Sequence, residues 1–304
     1  MAAENFARIS LSPSNGNKMQ LSLDGSSWRM SKLFADHRRA SITAKTDRKS
    51  IAGRPCFLCG KNRPQEQTSM RWNDYEILVN PYPLSAHHLT IASIRHEPQA
   101  MTPERIADMS ALAKELDGLC IFYNDPRCGA SAPDHFHFQA VDSDMAVNVS
   151  DVDMSKVLIS STPGASLYRS ADNYAPYPFF IIESSEDEAL QKIFSLLMTT
   201  LNKAIGISDE APVNIVMLAM PDKRTVRTIV IPRGKHRPEC YSREEGQLLV
   251  SPATIEMLGT IVCSRKEDFD KIDLRTAENI LAEVGVSDII FNRIVKQLTT
   301  TDKQ

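Results

Sequence analysis

The stretch Asp134-His135-Phe136-His137-Phe138-Gln139-Ala140 constrains the fold more than any other, because polar and aromatic side chains alternate along it without a break. A period of two belongs to an extended strand, on which residues two apart share a face. His135, His137 and Gln139 then form one polar row, with Phe136 and Phe138 packed behind it. Imidazoles are costly to bury unless hydrogen-bonded or bound to something, so the row marks a site built on a strand; the alternative is a surface strand with incidental histidines.

The flanking sequence supplies the rest of a unit. Tyr75–Val79 reads as a strand, Asn80–Pro83 as a turn and His88–Ser93 as a returning strand. Thr102 caps a helix with Pro103 at its first position, and its apolar period runs to about Leu119. Cys120–Tyr123 is a short strand, and a loop rich in Gly and Pro, Asn124–Asp134, leads into the histidine strand. Strand, strand, helix, strand, loop, strand is an antiparallel α+β unit.

The second part repeats this theme: a strand at Phe179–Ile182, a helix at Asp187–Ile205, and a hairpin of Val213–Met220 with Thr225–Ile231. Leu89–Pro98 and Arg227–Pro238 are both apolar strands running into Arg, His and Pro, which suggests related halves. Two helices, 274–284 and 287–298, are expected to cover an edge. The expected fold class is α+β, two halves each with a mostly antiparallel sheet and helices packed on it. Residues 1–50 form a loosely structured polar arm, with one strand or helix near Trp28–Phe34; 51–160 are the catalytic half, and 161–304 the second, degenerate half with C-terminal helices.

With 304 residues, 42% hydrophobic and 24% charged, the chain can bury a sizeable core. A net charge of -3 with scattered basic residues gives no footprint for a nucleic-acid polymer. No run of 18 apolar residues and no basic segment followed by an apolar one at the N-terminus occur, so a cytoplasmic protein with no membrane partner is expected. Six cysteines at irregular spacing do not make a disulfide framework. Cys120, Cys128, Cys240 and Cys263 read as ordinary core or loop residues.

Cys56 and Cys59 have the spacing with which one tight turn presents two thiolates to a tetrahedral zinc ion, and no second such pair exists. Histidines must complete the set. His87, His88, His96 and His135 are the candidates; Cys56, Cys59, His96 and His135 are the expected ligands, and His87 and His88 are read as hydrogen-bonding residues of the hairpin. The alternative is a pair of buried thiols without metal.

A neutral imidazole is a competent nucleophile toward phosphorus. Gln139 on the same face can donate its amide to a non-bridging phosphoryl oxygen. Small residues in Cys128–Pro133 let backbone N–H groups approach phosphate oxygens.

His135-Phe136-His137-Phe138-Gln139, preceded by Asn124 and Gly129-Ala130-Ser131, resembles the active-site segment of the histidine-triad-like nucleotidyltransferases. These include galactose-1-phosphate uridylyltransferases, diadenosine tetraphosphate phosphorylases and, nearest in wording, GDP-L-galactose phosphorylases. The resemblance makes His137 the nucleophile and Gln139 the group that stabilises the nucleotidyl intermediate. It also implies that His135 joins Cys56, Cys59 and His96 on zinc. Asn80, Asn124, Gly129 and Ser131 become substrate-binding candidates, and Arg233 and Lys235, at a strand exit with His236 and Arg237, resemble the basic element that faces the distal phosphate.

The implied reaction is phosphorolysis of a nucleoside diphosphate sugar, or of a dinucleotide, through a covalent nucleotidyl-histidine, with phosphate or a sugar phosphate as second substrate. Uridylyl-type transfer between sugar 1-phosphates and a non-catalytic nucleotide-binding zinc protein are the rivals. No organic cofactor is implied. Relatives of this type occur as monomers and as dimers, so a homodimer is compatible.

Overall fold

A computed structural model of the chain describes residues 20–23, 28–152, 156–207, 210–242, 244 and 246–301. The first 19 residues of the expected arm lie outside the described residues.

Ten strands make one antiparallel sheet. The first five are β3 (Ser69–Trp72), β4 (Tyr75–Val79), β5 (Leu89–Ser93), β6 (Leu119–Asn124) and β7 (His137–Asp142). The second five are β8 (Lys156–Thr162), β9 (Ala165–Ser170), β10 (Phe180–Ser184), β11 (Val213–Ala219) and β12 (Val226–Pro232). Their order in space is β3-β4-β5-β7-β6-β11-β12-β10-β9-β8. Each half therefore has three consecutive strands, a helix, and two strands that enter in reversed order. β6 and β11 join the halves antiparallel, Val216 opposite Phe122. The halves are topologically equivalent, as the two-part reading requires, but the sequence likeness falls on the wrong strands. In this topology β12 is the counterpart of β7 rather than of β5, so the resemblance of Leu89–Pro98 to Arg227–Pro238 reflects only a shared strand exit.

Alternation along the strands gives the sheet two buried faces. One carries Ile91, Phe136, Phe138, Ile121, Ile215 and Phe180 and is covered by helices Pro103–Glu115, Asp187–Ile205 and Asp288–Thr301. The first helix is capped as read: Thr102 Oγ1 accepts from the Arg105 N–H, with Pro103 at the first position. It ends at Glu115, short of Leu119, because Gly118 turns the chain with φ at 80° and Leu119 already pairs in β6.

The other face carries Cys120, Phe122, Val141, Ile181, Val216 and Ile229 and is covered by the N-terminal segment with helix Leu274–Val284. Here the strand expected near Trp28–Phe34 is present, but the arm around it is packed rather than loosely structured. β2 (Met30–Phe34) pairs antiparallel with β1 (Gln20–Leu23) and parallel with β13 (Thr260–Cys263), and Trp28 is fully buried against Tyr174, Tyr177 and Phe179. The parallel partner of β2 lies more than 200 residues away in the chain, so local sequence does not reveal it. Among the described residues no helix is long and apolar enough to cross a membrane.

Candidate functional site

A cavity of about 1050 Å³ opens on the second face of the sheet. His137 and Gln139 of β7 line it, with Asn80, His88 and Thr90 from the first hairpin and Asn124, Gly129 and Ser131 from the loop between β6 and β7. Strand pairing aligns them: Thr90 and Phe122 flank Gln139 across the two neighbouring strands.

The polar row is shorter than its sequence implies. β7 begins at His137, and His135 sits in the turn before it, its N–H bonded to the Ala132 carbonyl at 3.2 Å. Phe136 makes backbone bonds to Glu97 and Ser93, but the chain is already leaving the ladder. His135 therefore faces away from the cavity lining, toward Cys56, Cys59 and His96.

His137 is buried and held from three sides. Its N–H donates to Gln99 Oε1 at 2.7 Å, while Gln99 Nε2 donates to the His137 and Asn124 carbonyls. Its ring Nδ1 lies 2.9 Å from the His135 carbonyl, which can only accept, so Nδ1 carries the proton. Nε2 is left as the bare nitrogen, without a hydrogen-bond partner among the described residues. Burial pushes the imidazole pKa down to about 4, which keeps the ring neutral at pH 7.

The loop is fixed by a buried amide cluster. Asn124 Oδ1 accepts from Asn214 Nδ2 at 2.8 Å and from the N–H and hydroxyl of Thr254, so only its Nδ2 remains to donate. Gly129, at φ 115°, is required twice over: its backbone is left-handed, and a Cβ there would stand 2.4 Å from that of Ala253. The backbone N–H groups of Gly129 and Ser131 have no protein acceptor among the described residues.

Cys56, Cys59, His96 and His135 form a single group whose donor atoms all lie within 4.8 Å of one another. Cys56 Sγ and His135 Nδ1 are 3.3 Å apart, Cys59 Sγ and His96 Nδ1 3.3 Å, Cys59 Sγ and His135 Nδ1 3.6 Å, and the two Nδ1 atoms 3.3 Å. A zinc ion with ordinary bond lengths in a tetrahedron of two sulfurs and two nitrogens needs edges of about 3.3–3.8 Å. The donors fit. His135 Nε2 lies 2.7 Å from the Ser93 carbonyl, which fixes the proton there and leaves Nδ1 bare for a metal.

Arg233 and Lys235 are not brought to the cavity. Arg233 is fully buried, and its guanidinium donates to Asn214 Oδ1 and to the Val284, Pro252, Lys235 and His236 carbonyls. It holds the loop together and, through Asn214, supports Asn124. Lys235 is half-buried and paired with Glu283 and Glu239. The next two residues, His236 and Arg237, reach the cavity instead.

Further cations on its wall are Arg38 and Lys45 of the arm and Arg54 just beyond it. Arg54 Nη2 donates to the Ser131 carbonyl at 3.1 Å, while its buried Nη1 has no partner among the described residues. Nothing in the spacing of the sequence separates these three from the neighbouring basic residues. The wall also holds Glu256, whose carboxyl is pushed up to about 7 by burial and which accepts from the Ala253 N–H.

Two family models match the sequence: a domain of unknown function, DUF4922, over residues 3–142, and a GDPGP1-like C-terminal domain over residues 176–304. No curated protein matches. Among solved structures, yeast Ap4A phosphorylase Apa2 is similar at a TM-score of 0.64 and 16% identity, covering 93% of this chain and 95% of that one. The same enzyme in complex with AMP gives a TM-score of 0.60 at 15% identity, covering 93% and 94%. Its complex with Ap4A gives 0.57 at 14%, covering 93% and 95%. With its doubled five-stranded unit, the chain shares the fold of this yeast phosphorylase, and its residues 176–304 match the GDPGP1-like C-terminal domain.

Proposed function

We propose that the chain is a nucleotidyltransferase working by double displacement, most simply the phosphorolysis of a nucleoside diphosphate sugar. The observation that carries this is the state of His137: Nδ1 spent on the His135 carbonyl, the ring neutral, and bare Nε2 on the wall of a cavity large enough for a nucleotide. A protein that only binds nucleotides has no need of a neutral imidazole so held.

Nε2 attacks the α-phosphorus, and the bond from that phosphorus to the bridging oxygen breaks, releasing a sugar 1-phosphate. An oxygen of inorganic phosphate then attacks the same phosphorus, the N–P bond breaks, and a nucleoside diphosphate leaves. Gln139 Nε2 donates to a non-bridging oxygen as its charge grows. Asn124 Nδ2 and the backbone of Gly129 and Ser131 hold the remaining oxygens, and Asn80 supports Gln139. Arg237, Arg38, Lys45 and Arg54 neutralise the distal phosphate, a task assigned from sequence to Arg233 and Lys235.

Zinc on Cys56, Cys59, His96 and His135 is part of this reading. Four protein ligands leave no open position, so the ion would act structurally, fixing the turn from which β7 and His137 depart. The catalytic half is then residues 51–160, with Arg38 and Lys45 of the arm and His236 and Arg237 of the second half, 161–304, added to the cavity wall, in a cytoplasmic enzyme. A dinucleotide such as Ap4A, which the yeast protein holds, is the second substrate class.

The test is a panel of GDP-glucose, ADP-glucose, UDP-glucose and Ap4A labelled at the α-phosphorus, each offered with and without phosphate. An acid-labile label on His137 that phosphate discharges as nucleoside diphosphate supports the reading. Phosphorolysis with inversion at phosphorus would rule out two displacements.

A further inference from the structure

A glutamine amide can face a phosphoryl group in two orientations. Turned one way it offers Nε2 as a donor; turned the other way it offers Oε1, whose partial negative charge repels the oxygens that Nε2 would hold. Some other group must choose between them.

His88 and Asn80 make the choice in this fold. Gln139 Oε1 lies 3.0 Å from His88 Nε2 and 3.4 Å from Asn80 Nδ2. His88 Nδ1 in turn lies 3.1 Å from the backbone nitrogen of Leu84. A backbone N–H can only donate, so Nδ1 is bare, the neutral ring carries its proton on Nε2, and that N–H donates to Oε1. Asn80 is oriented the same way: its Oδ1 accepts from the Tyr82 N–H at 2.9 Å, and its Nδ2 donates to Thr90 Oγ1 and toward Gln139. Two backbone N–H groups of the turn after β4, neither of which can reverse, thus set the direction of every bond that ends at Gln139 Oε1. Among the described residues Gln139 Nε2 has no protein acceptor, and Gln139 lines the cavity.

We infer that His88 is a positioning residue: it relays the polarity of the Leu84 N–H to the Gln139 amide, so that Nε2 faces the phosphoryl group being transferred. The inference rests on the double-displacement reading, in which Gln139 holds a non-bridging oxygen. Without the Nε2–H of His88, Asn80 alone opposes the turned amide, through the longer of the two bonds, and part of the enzyme presents the repelling orientation.

Two measurements test it. The first is the imidazole ¹⁵N spectrum of the wild-type protein at pH 7, in which His88 is expected as the neutral ring protonated at Nε2. Protonation at Nδ1 overturns the inference. The second is the rate of label transfer to His137 from whichever member of the nucleotide panel labels wild type fastest.

His88→Phe is expected to slow labelling roughly 10- to 100-fold, part of the loss on removing one oxyanion donor. His88→Gln, which keeps a donor near the Nε2 position, should recover to within about fivefold of wild type. In the Gln139→Ala background, His88→Phe should cost no more than about twofold further, because the two residues act as one unit. Multiplicative losses, or a His88→Phe rate equal to wild type, overturn it. Absence of label on the wild-type enzyme defeats the double-displacement reading instead, and the nitrogen spectrum still reports the His88 proton.

Discussion

The ring nitrogen Nδ1 of His137 lies 2.9 Å from the main-chain oxygen of His135, while the ring of His135 itself turns to the sulfurs of Cys56 and Cys59. One residue thus belongs to two sites: its carbonyl sets the tautomer of the proposed nucleophile, and its side chain belongs to the metal-ligand group.

The first consequence concerns His137. His137→Ala should abolish label incorporation and reduce turnover by about a thousandfold or more, since the nucleotidyl group is proposed to sit on its Nε2. Single-turnover assays with the labelled panel check this, and turnover by the variant at a wild-type rate would sink the mechanism.

Metal content is the second. Purified protein should carry about one zinc per chain by elemental analysis. Removal by a strong chelator, or Cys56→Ser, should lower the melting temperature and slow labelling together, because an ion on these four side chains would anchor the turn before β7. Full thermal stability and rate in metal-free protein would show that the four side chains need no ion.

A third prediction separates Arg233 from its neighbours. Arg233→Ala leaves Asn214 Oδ1 and several carbonyls without their buried donor and should cost about 3 kcal/mol or more of folding stability. Lys235→Ala should change stability by less than about 0.5 kcal/mol and leave the kinetics unaltered. Arg237→Ala should raise KM for phosphate and, because its partly buried guanidinium bonds Ser251 and the Ile42 carbonyl and covers Tyr241, cost less stability than Arg233→Ala. Urea titrations and initial-rate kinetics on the three variants give the comparison.

Gly129 gives a fourth. Gly129→Ala forces a side chain into a left-handed residue and against Ala253, at a cost of about 2–4 kcal/mol. Adding Ala253→Gly should restore the steric part of that loss but not the backbone part, a partial recovery measurable by chemical denaturation.

The fifth is a pH dependence of stability away from the cavity. Glu210 accepts from the Met101 N–H, and burial, then the neighbouring Asp125 charge, pushes its carboxyl up to about 8. An acid whose folded pKa lies above its unfolded value keeps its proton in the folded state where the unfolded chain has lost it. Its contribution is therefore most favourable below about 4.5 and is lost as pH rises toward 8. Glu210→Gln should remove that slope, so that the variant gains on wild type between pH 5 and pH 8 by on the order of a few kcal/mol. Equal pH profiles for the two proteins would contradict it.

Much of this was legible in the residues. The row that puts His137 and Gln139 on one cavity wall could be read because a period of two is local, as is the turn that brings Cys56 to Cys59; His96 and His135 joined the pair only through their strand-end positions and the family resemblance. Thr102 with Pro103 announced a helix for the same reason. What the sequence did not reveal depends on distant partners. Whether Arg233 or Arg237 reaches the cavity is decided by Asn214, Pro252 and Val284, which fold around the first and leave the second outside. Arg38 and Arg54 are held at the wall by the Tyr82 and Ser131 carbonyls, 44 and 77 positions away. His88 was visible as a hairpin histidine, but its partner on β7 is 51 positions away.

The equivalence of the two halves has a consequence for counting. On β12, the counterpart of β7, the positions that face the same side are Arg227, Ile229 and Ile231; the isoleucines are core, and Arg227 is locked to Glu183 and to the Val149 and Ser150 carbonyls. That half presents packing where the first presents His137 and Gln139, so the proposed reaction has one centre per chain. A rapid-quench burst with saturating nucleotide should plateau at one equivalent per polypeptide, which makes its amplitude a direct titration of active molecules.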